Sequence, residues 1–355
     1  MLRERTDLKI EKKSYKIKKL MFIEASAPTR VDLTGGTIDI PPLYLFHEGA
    51  STINFAISLR AYCRIKTRKD DRFLVESVDR NEVLESSVSQ LQMLKHEKRL
   101  ELIAKLIYFF KPEIGFEMTV ESKVPAGAGL AGSSTLNIAC IAALNRLVGE
   151  RYSSERFIPI AAAIECQVIR VPTGYQDYYS AQYGGVSAIH FRPDGIFHEH
   201  IETDFEALES RFVIAYTGEP RDSGINNWEI TKRHIDGEGE IFDAFEQIRD
   251  ASLSMKDALL KRDWDAVAEI LRFSHSQRKR LSKNITTKHM DEIIEEAFRN
   301  GAVAAQVCGA GGGGCVAFFC KEGYKEKLER RLSEVDGVKV LDWKLSRNGL
   351  ELSSD

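Results

Sequence analysis

The chain has 355 residues, 43% hydrophobic and 29% charged, with a formal net charge of -3 and a pI near 6.3. That length suits two domains with ample core, and the charge balance argues against a general nucleic-acid binder. No apolar run approaches the ~20 residues of a membrane span, and six scattered cysteines without a C-x-x-C pair read as buried thiols of a reducing cytoplasm.

Residues 1–20, "MLRERTDLKIEKKSYKIKKL", are polar and basic and lack the apolar core of a signal peptide, so they read as an N-terminal extension. "MFIEASAPTRVDLTGG" predicts a strand running into a glycine turn, and "ASTINFAISLRAYCRIKTR" predicts further strands. Apolar residues at helical spacing from Leu91 through Leu106 predict a helix, and "GFEMTVESKVP" a strand. Helices are expected over Ser133–Val148 and Ser154–Ile169, the second capped by Ser153 or Ser154 and stopped by Pro172. "TGYQDYYSAQYGG" then reads as a loop with a short helix, and "RFVIAYTG" as a buried strand. Residues Gly239–Asn300 are mainly helical, with breaks near Asp263 and Asn284. "GAVAAQVCGAGGGGCVAFFC" predicts strand, glycine loop, strand, and the last part a helix and a final strand. This order lacks regular βαβ alternation and indicates an α+β fold. The boundary falls within Thr203–Arg211, giving domains 21–205 and 206–355.

Four stretches carry candidate chemistry. "VPAGAGLAGSST" (Val124–Thr135) is a glycine loop feeding a helix, which offers backbone N–H groups, the positive end of the helix dipole, and the hydroxyls of Ser133, Ser134 and Thr135 to a phosphate or a magnesium ion. It lacks the lysine of the usual P-loop, and a capped turn stays open as its reading. "ECQVIRVPTGYQD" places Glu165 on an apolar helix face, where a carboxylate needs a partner such as a metal, and Asp177 in the loop beyond. A surface glutamate and a turn aspartate are the alternative. "APTRVDLTGGTID" sets Arg30 and Asp39 around Gly35 and Gly36. Arg30 suits charge on a transferring phosphoryl group and Asp39 suits substrate hydroxyls, and a hairpin with ordinary turn residues stays open. "CGAGGGGC" has five glycines in six positions, an entropic cost that points to close backbone approach to a ligand or another loop.

In this order the pieces resemble the GHMP kinases, whose central P-x-x-x-G-L-G-S-S-A signature is similar to "VPAGAGLAGSST" and whose C-terminal glycine motif is similar to "CGAGGGGC". The resemblance runs from Ala25 onward. It implies a ribosomal S5 domain 2-like N-terminal domain, a ferredoxin-like C-terminal domain, and ATP and Mg2+ as cofactors. The phosphate loop would be Pro125, Gly127, Ala128, Gly129, Leu130, Ala131, Gly132, Ser133, Ser134 and Thr135. Magnesium would fall to Ser133 and Glu165, with Ser134 able to exchange roles, and catalysis to Asp177 with Arg30. Gly35, Gly36, Asp39, Gly174, Tyr178 and Arg221 would face the substrate, and Gly309, Gly311, Gly312, Gly313 and Gly314 would form the C-terminal glycine loop. Ala131 and Gly132 depart from the signature.

Within the family the motifs are most similar to those of heptose-phosphate kinases, with Thr37, Ile38 and Tyr178 departing from them. The implied activity is ATP-dependent phosphorylation of a hydroxyl on a sugar or sugar phosphate. The alternatives are a non-catalytic ATP and sugar sensor on the same fold, and a kinase or decarboxylase of a mevalonate-type acid. The expected partner is a small sugar or sugar phosphate in the cytoplasm, without nucleic acid or membrane; a homodimer stays open.

Overall fold

The structure is a computed structural model that describes residues 20–220 and 223–355. The basic extension therefore lies outside the described residues, apart from Leu20.

The first half opens with strands β1 (Phe22–Thr34), β2 (Ser51–Thr67), β3 (Arg72–Ser77) and β4 (Glu82–Ser87). Helix α1 (Glu101–Phe110), strand β5 (Phe116–Ser122) and helices α2 (Gly132–Leu147), α3 (Phe157–Ile169) and α4 (Gln176–Tyr183) follow. Strands β6 (Val186–Arg192) and β7 (Gly195–His200) then lead to helix α5 (Phe205–Arg211). The second half runs β8 (Phe212–Tyr216), α6 (Ser223–Ile235), α7 (Gly239–Lys261), α8 (Trp264–Leu281) and α9 (Lys288–Arg299). It closes with β9 (Ala302–Val307), β10 (Cys315–Cys320), α10 (Lys325–Ser333), β11 (Lys339–Val340) and β12 (Glu351–Ser354).

Two sheets result. The larger runs β12-β1-β2-β5-β3-β4, and the long β2 also pairs β6, which pairs β7. Only β3 and β5 are parallel. The smaller sheet, β11-β8-β10-β9, is antiparallel. Helix α2 is apolar on nearly every face, as a helix buried between layers must be. Its Ile138, Cys140 and Ile141 pack with Ile23, Cys63 and Ile65 of the larger sheet. The smaller sheet is covered on one face by α9 and α10. Its other face shares a core with α7, α8 and the ends of β1 and β2, where Val31, Leu33 and Phe55 meet Met255, Leu271 and Phe319.

The structure departs from the sequence reading in three places. The helix expected from Leu91 is a short 3-10 segment, Val88–His96, broken before α1, whose entry residue Leu100 takes a left-handed φ of 48°. The second helix begins as a 3-10 turn at Ser154–Arg156, and α3 proper starts at Phe157. The final strand is reduced to Lys339–Val340, while Glu351–Ser354 crosses back to pair with Ile23–Ser26 of β1. Five of the six free cysteines are buried and Cys166 is partly so.

Phe55 joins the two halves, 5.2 Å from Phe212 and 5.4 Å from Trp343 between ring centres. Phe55→Ala should cost about 3–5 kcal/mol in urea unfolding. Phe273→Ala, on an exposed face of α8, should stay within about 0.5 kcal/mol.

Candidate functional site

A cavity of about 620 Å³ opens where the two halves meet. The loop from Val124 to Ala131, the N-terminus of α2, the turn after β1, the start of α4 and the tip of the C-terminal glycine loop all reach it.

The loop turns through Gly127 (φ 71°), Gly129 (φ 81°) and Ala131 (φ 68°). Ala131 therefore holds a left-handed conformation that costs a residue with a side chain on the order of 1–2 kcal/mol. It stands at the N-cap of α2, whose cap lacks a side-chain hydrogen bond, so the helix's first N–H groups stay available. Ser133 is exposed at the cavity. Ser134 is buried, and its hydroxyl donates to Glu165 Oε1 at 3.1 Å.

Glu165 is only 6% exposed. Burial raises its pKa, against the hydrogen bonds from Tyr178 and Ser134. The Tyr178 hydroxyl donates to Glu165 Oε2 at 2.7 Å. Tyr178 is fully buried and does not face the cavity, so the structure gives it to Glu165 rather than to a substrate. Of the two serines expected beside Glu165, Ser134 is the one whose hydroxyl bonds it, while Ser133 faces the cavity.

Arg30 is 2% exposed and binds three ways. Its Nε donates to Asp177 Oδ1 at 2.8 Å, its Nη2 lies 2.6 Å from the same oxygen, and its Nη1 donates to the Gly129 carbonyl at 2.9 Å. Burial acts to lower the Arg30 pKa, but Asp177 and Asp32 outweigh it and the net shift is upward. Asp177 is partly open to the cavity.

Asp39 is 2% exposed and accepts the Gln176 N–H at 3.0 Å. A Cβ on Gly174 would stand 2.8 Å from Asp39 Oδ1, so Gly174 makes room for this carboxylate. Gly36 does the same for Asp32. Burial lifts the Asp39 pKa to about 7, the Gln176 N–H opposes it, and Asp177 and Asp32 add to it.

The C-terminal glycines split in role. Gly309 and Ala310 line the cavity, whereas Gly311 and Gly313 press on the backbone of Ile285 and Glu219. Gly314 lies against Gly127 and Ala128, and Cys315 N donates to the Ala128 carbonyl at 2.8 Å. The glycine run thus meets another loop, one of the two reasons expected for it. Gly35 packs on Ser51 and Thr52 and does not line the cavity. Arg221 lies outside the described residues.

Sequence reasoning missed the far end of the cavity, formed by Ser77 at the end of β3, Asp79 and Arg80 just beyond it, and Lys98 and Leu100 at the entry to α1. No motif marks these residues. It also missed Asp32, which was within a quoted motif but between its recognised positions.

Comparison with known proteins follows the same outline. The GHMP kinases N terminal domain matches residues 100–185, and the GHMP kinases C terminal domain matches residues 255–336. D-glycero-alpha-D-manno-heptose 7-phosphate kinase of Campylobacter jejuni is 28% identical over 93% of this chain and 98% of its own length. The mevalonate kinase of Archaeoglobus fulgidus is 28% identical over 89% of this chain and 99% of its own. Among solved structures, a D-glycero-D-manno-heptose 1-phosphate kinase from Bacteroides thetaiotaomicron superposes with a TM-score of 0.75 at 24% identity, covering 93% of this chain and 98% of that one. That likeness speaks to the fold.

The raised Asp39 pKa has a measurable consequence. The folded carboxyl holds its proton up to about pH 7, the unfolded one only to about 3.8. The folded state therefore binds the extra proton between those values, and this group's contribution to stability falls as pH rises through the window. Asp39→Asn removes that decline. Thermal melts should show the variant gaining stability over the parent between about pH 5 and pH 8, and an equal offset at both would remove Asp39 as the source.

Proposed function

We infer that this chain, which matches the GHMP kinases N terminal domain over residues 100–185 and the C terminal domain over residues 255–336, is a GHMP kinase that transfers the terminal phosphoryl group of ATP to a hydroxyl of a sugar phosphate of the heptose type. We further assign the larger sheet and its helices to the ribosomal S5 domain 2-like architecture and the smaller sheet to the ferredoxin-like one, divided at 205/206 with β12 returning to the first. The observation that carries the reading is the Arg30–Asp177 pair at the cavity, fastened by Arg30 to the Gly129 carbonyl of the phosphate loop.

The Gly127–Thr135 loop and the N-terminus of α2 supply N–H groups and a favourable dipole for the ATP phosphates. Glu165 and Ser134 offer the hard oxygen donors that suit Mg2+. Among the described residues there is no cluster of three or more His, Cys, Asp or Glu that could hold a metal. One carboxylate plus hydroxyls, completed by phosphate oxygens and water, is how Mg2+ is usually held. When bound, it would neutralise charge on the polyphosphate.

Asp177 orients the acceptor hydroxyl and takes its proton. Arg30 fixes the carboxylate and places positive charge between it and the phosphate loop. Asp39 accepts hydrogen bonds from further hydroxyls. Asp39 and Asp177 bring carboxyl groups to the acceptor end that suit hydroxyls as hydrogen-bond partners. This favours a polyol group there over the carboxylate of a mevalonate-type acid.

ADP release with a panel of heptose phosphates, hexoses, inositols and mevalonate tests the acceptor class; turnover of mevalonate alone would overturn it. Asp177→Asn should keep ATP affinity and lower kcat by roughly 10²–10⁴, with near-parent turnover removing Asp177 from its role. Glu165→Gln and Ser134→Ala should each raise the Mg2+ concentration for half-maximal rate, Ser134→Ala by more than Ser133→Ala. The reverse order would return the metal to Ser133.

A further inference from the structure

Arg278 of α8 is the largest fully buried side chain among the described residues. Its Nη1 donates to the Val307 carbonyl at 2.6 Å and its Nη2 to the Gly309 carbonyl, the two ends of the turn from β9 into the C-terminal glycine loop. Both acceptors are neutral, so they satisfy N–H groups without balancing the charge. The carboxylate that faces Arg278 is Asp32 of β1, at 3.9 Å and 1% exposed. Neither Asp32 oxygen has a hydrogen-bond partner, and Arg278 Nε lacks one too. Asp32 also lies beside Arg30, which is bound to Asp177. The charges thus alternate from Asp177 through Arg30 and Asp32 to Arg278, leading from the catalytic end of the cavity into the other half of the molecule.

We propose that Asp32 and Arg278 are a buried positioning pair that holds the Cys308–Gly314 loop against the phosphate loop, so that nucleotide binding in one half depends on a guanidinium in the other. A buried guanidinium stripped of its counter-charge is strongly destabilised. Without Asp32 it would be drawn toward water, taking the Val307 and Gly309 carbonyls with it. Gly314 and Cys315, which touch Gly127 and Ala128, would lose their register. The pair does not touch ATP itself; it acts through the loop.

The kinetic part rests on reading the cavity as a kinase site, but backbone exchange in the loop does not. The full chain would therefore be compared as Asp32→Asn, Arg278→Met, the double variant, and Arg278→Lys, which keeps the charge. Hydrogen exchange over residues 307–315 should accelerate by about ten-fold or more in each single charge-removing variant, with β8 unchanged. Calorimetric ATP binding should weaken by about ten-fold, with the double variant no weaker than the worse single one, as coupled residues require. Arg278→Lys should recover part of the affinity. Unchanged loop exchange in Asp32→Asn, or a double variant whose losses multiply, overturns the proposal. If Arg278→Met does not fold, Asp32→Asn and Arg278→Lys still decide it. Loop exchange that responds while no sugar phosphate is turned over would leave the pair intact and sink the proposed acceptor.

Discussion

The site is organised by one buried guanidinium. Arg30 lies in the middle of β1, reaches α4 through Asp177 and the phosphate loop through the Gly129 carbonyl, and its own N–H bonds the Leu130 carbonyl at 3.3 Å. Three segments far apart in sequence meet on one planar group. A lysine could not serve the carboxylate and the carbonyl together in that fixed geometry, because it lacks the fork of donors. The position of the Asp177 carboxylate is therefore set by a side chain of the larger sheet.

Around Arg30 the charge balance is unfavourable by design. Asp32, Asp39 and Glu165 are all buried, and burial raises the pKa of each. Such carboxylates are costly unless paired. Glu165 has Tyr178 and Ser134, and Asp39 has the Gln176 N–H. These partners satisfy hydrogen bonds without neutralising charge. The remaining attraction is available to whatever positive or proton-donating groups enter, so the site carries an electrostatic preference for its ligands.

Much of this was legible in the sequence, for identifiable reasons. The glycine loop, Arg30, Asp39, Glu165 and Asp177 stand out because each belongs to a short motif whose spacing the chemistry constrains. Helices α7 to α9 were legible from apolar periodicity. The direction of Tyr178 was not, since a phenol between two sequence neighbours gives no sign of which side it faces. Nor was it legible that Ser134 rather than Ser133 hydrogen-bonds Glu165, which depends on the phase of α2. The role of Gly311 and Gly313 was half legible: the number of glycines signalled close approach, but only the fold shows that the neighbour is backbone. Strand β12 was invisible, because "ELSS" has neither apolar alternation nor aromatic content, and its partner lies at the opposite end of the chain.

That return of β12 has a bearing on how the molecule is made. Strand β1 leaves the ribosome well before its outer neighbour β12, with the rest of the described elements made between them. At about 5–20 residues per second, the Ile23–Ser26 edge waits on the order of tens of seconds for Glu351–Ser354. During that interval the strand that carries Arg30 presents unpaired N–H and C=O groups along this edge. The edge that β12 covers in the finished fold is thus the one left open longest during synthesis, and it belongs to the strand from which Arg30 reaches the site.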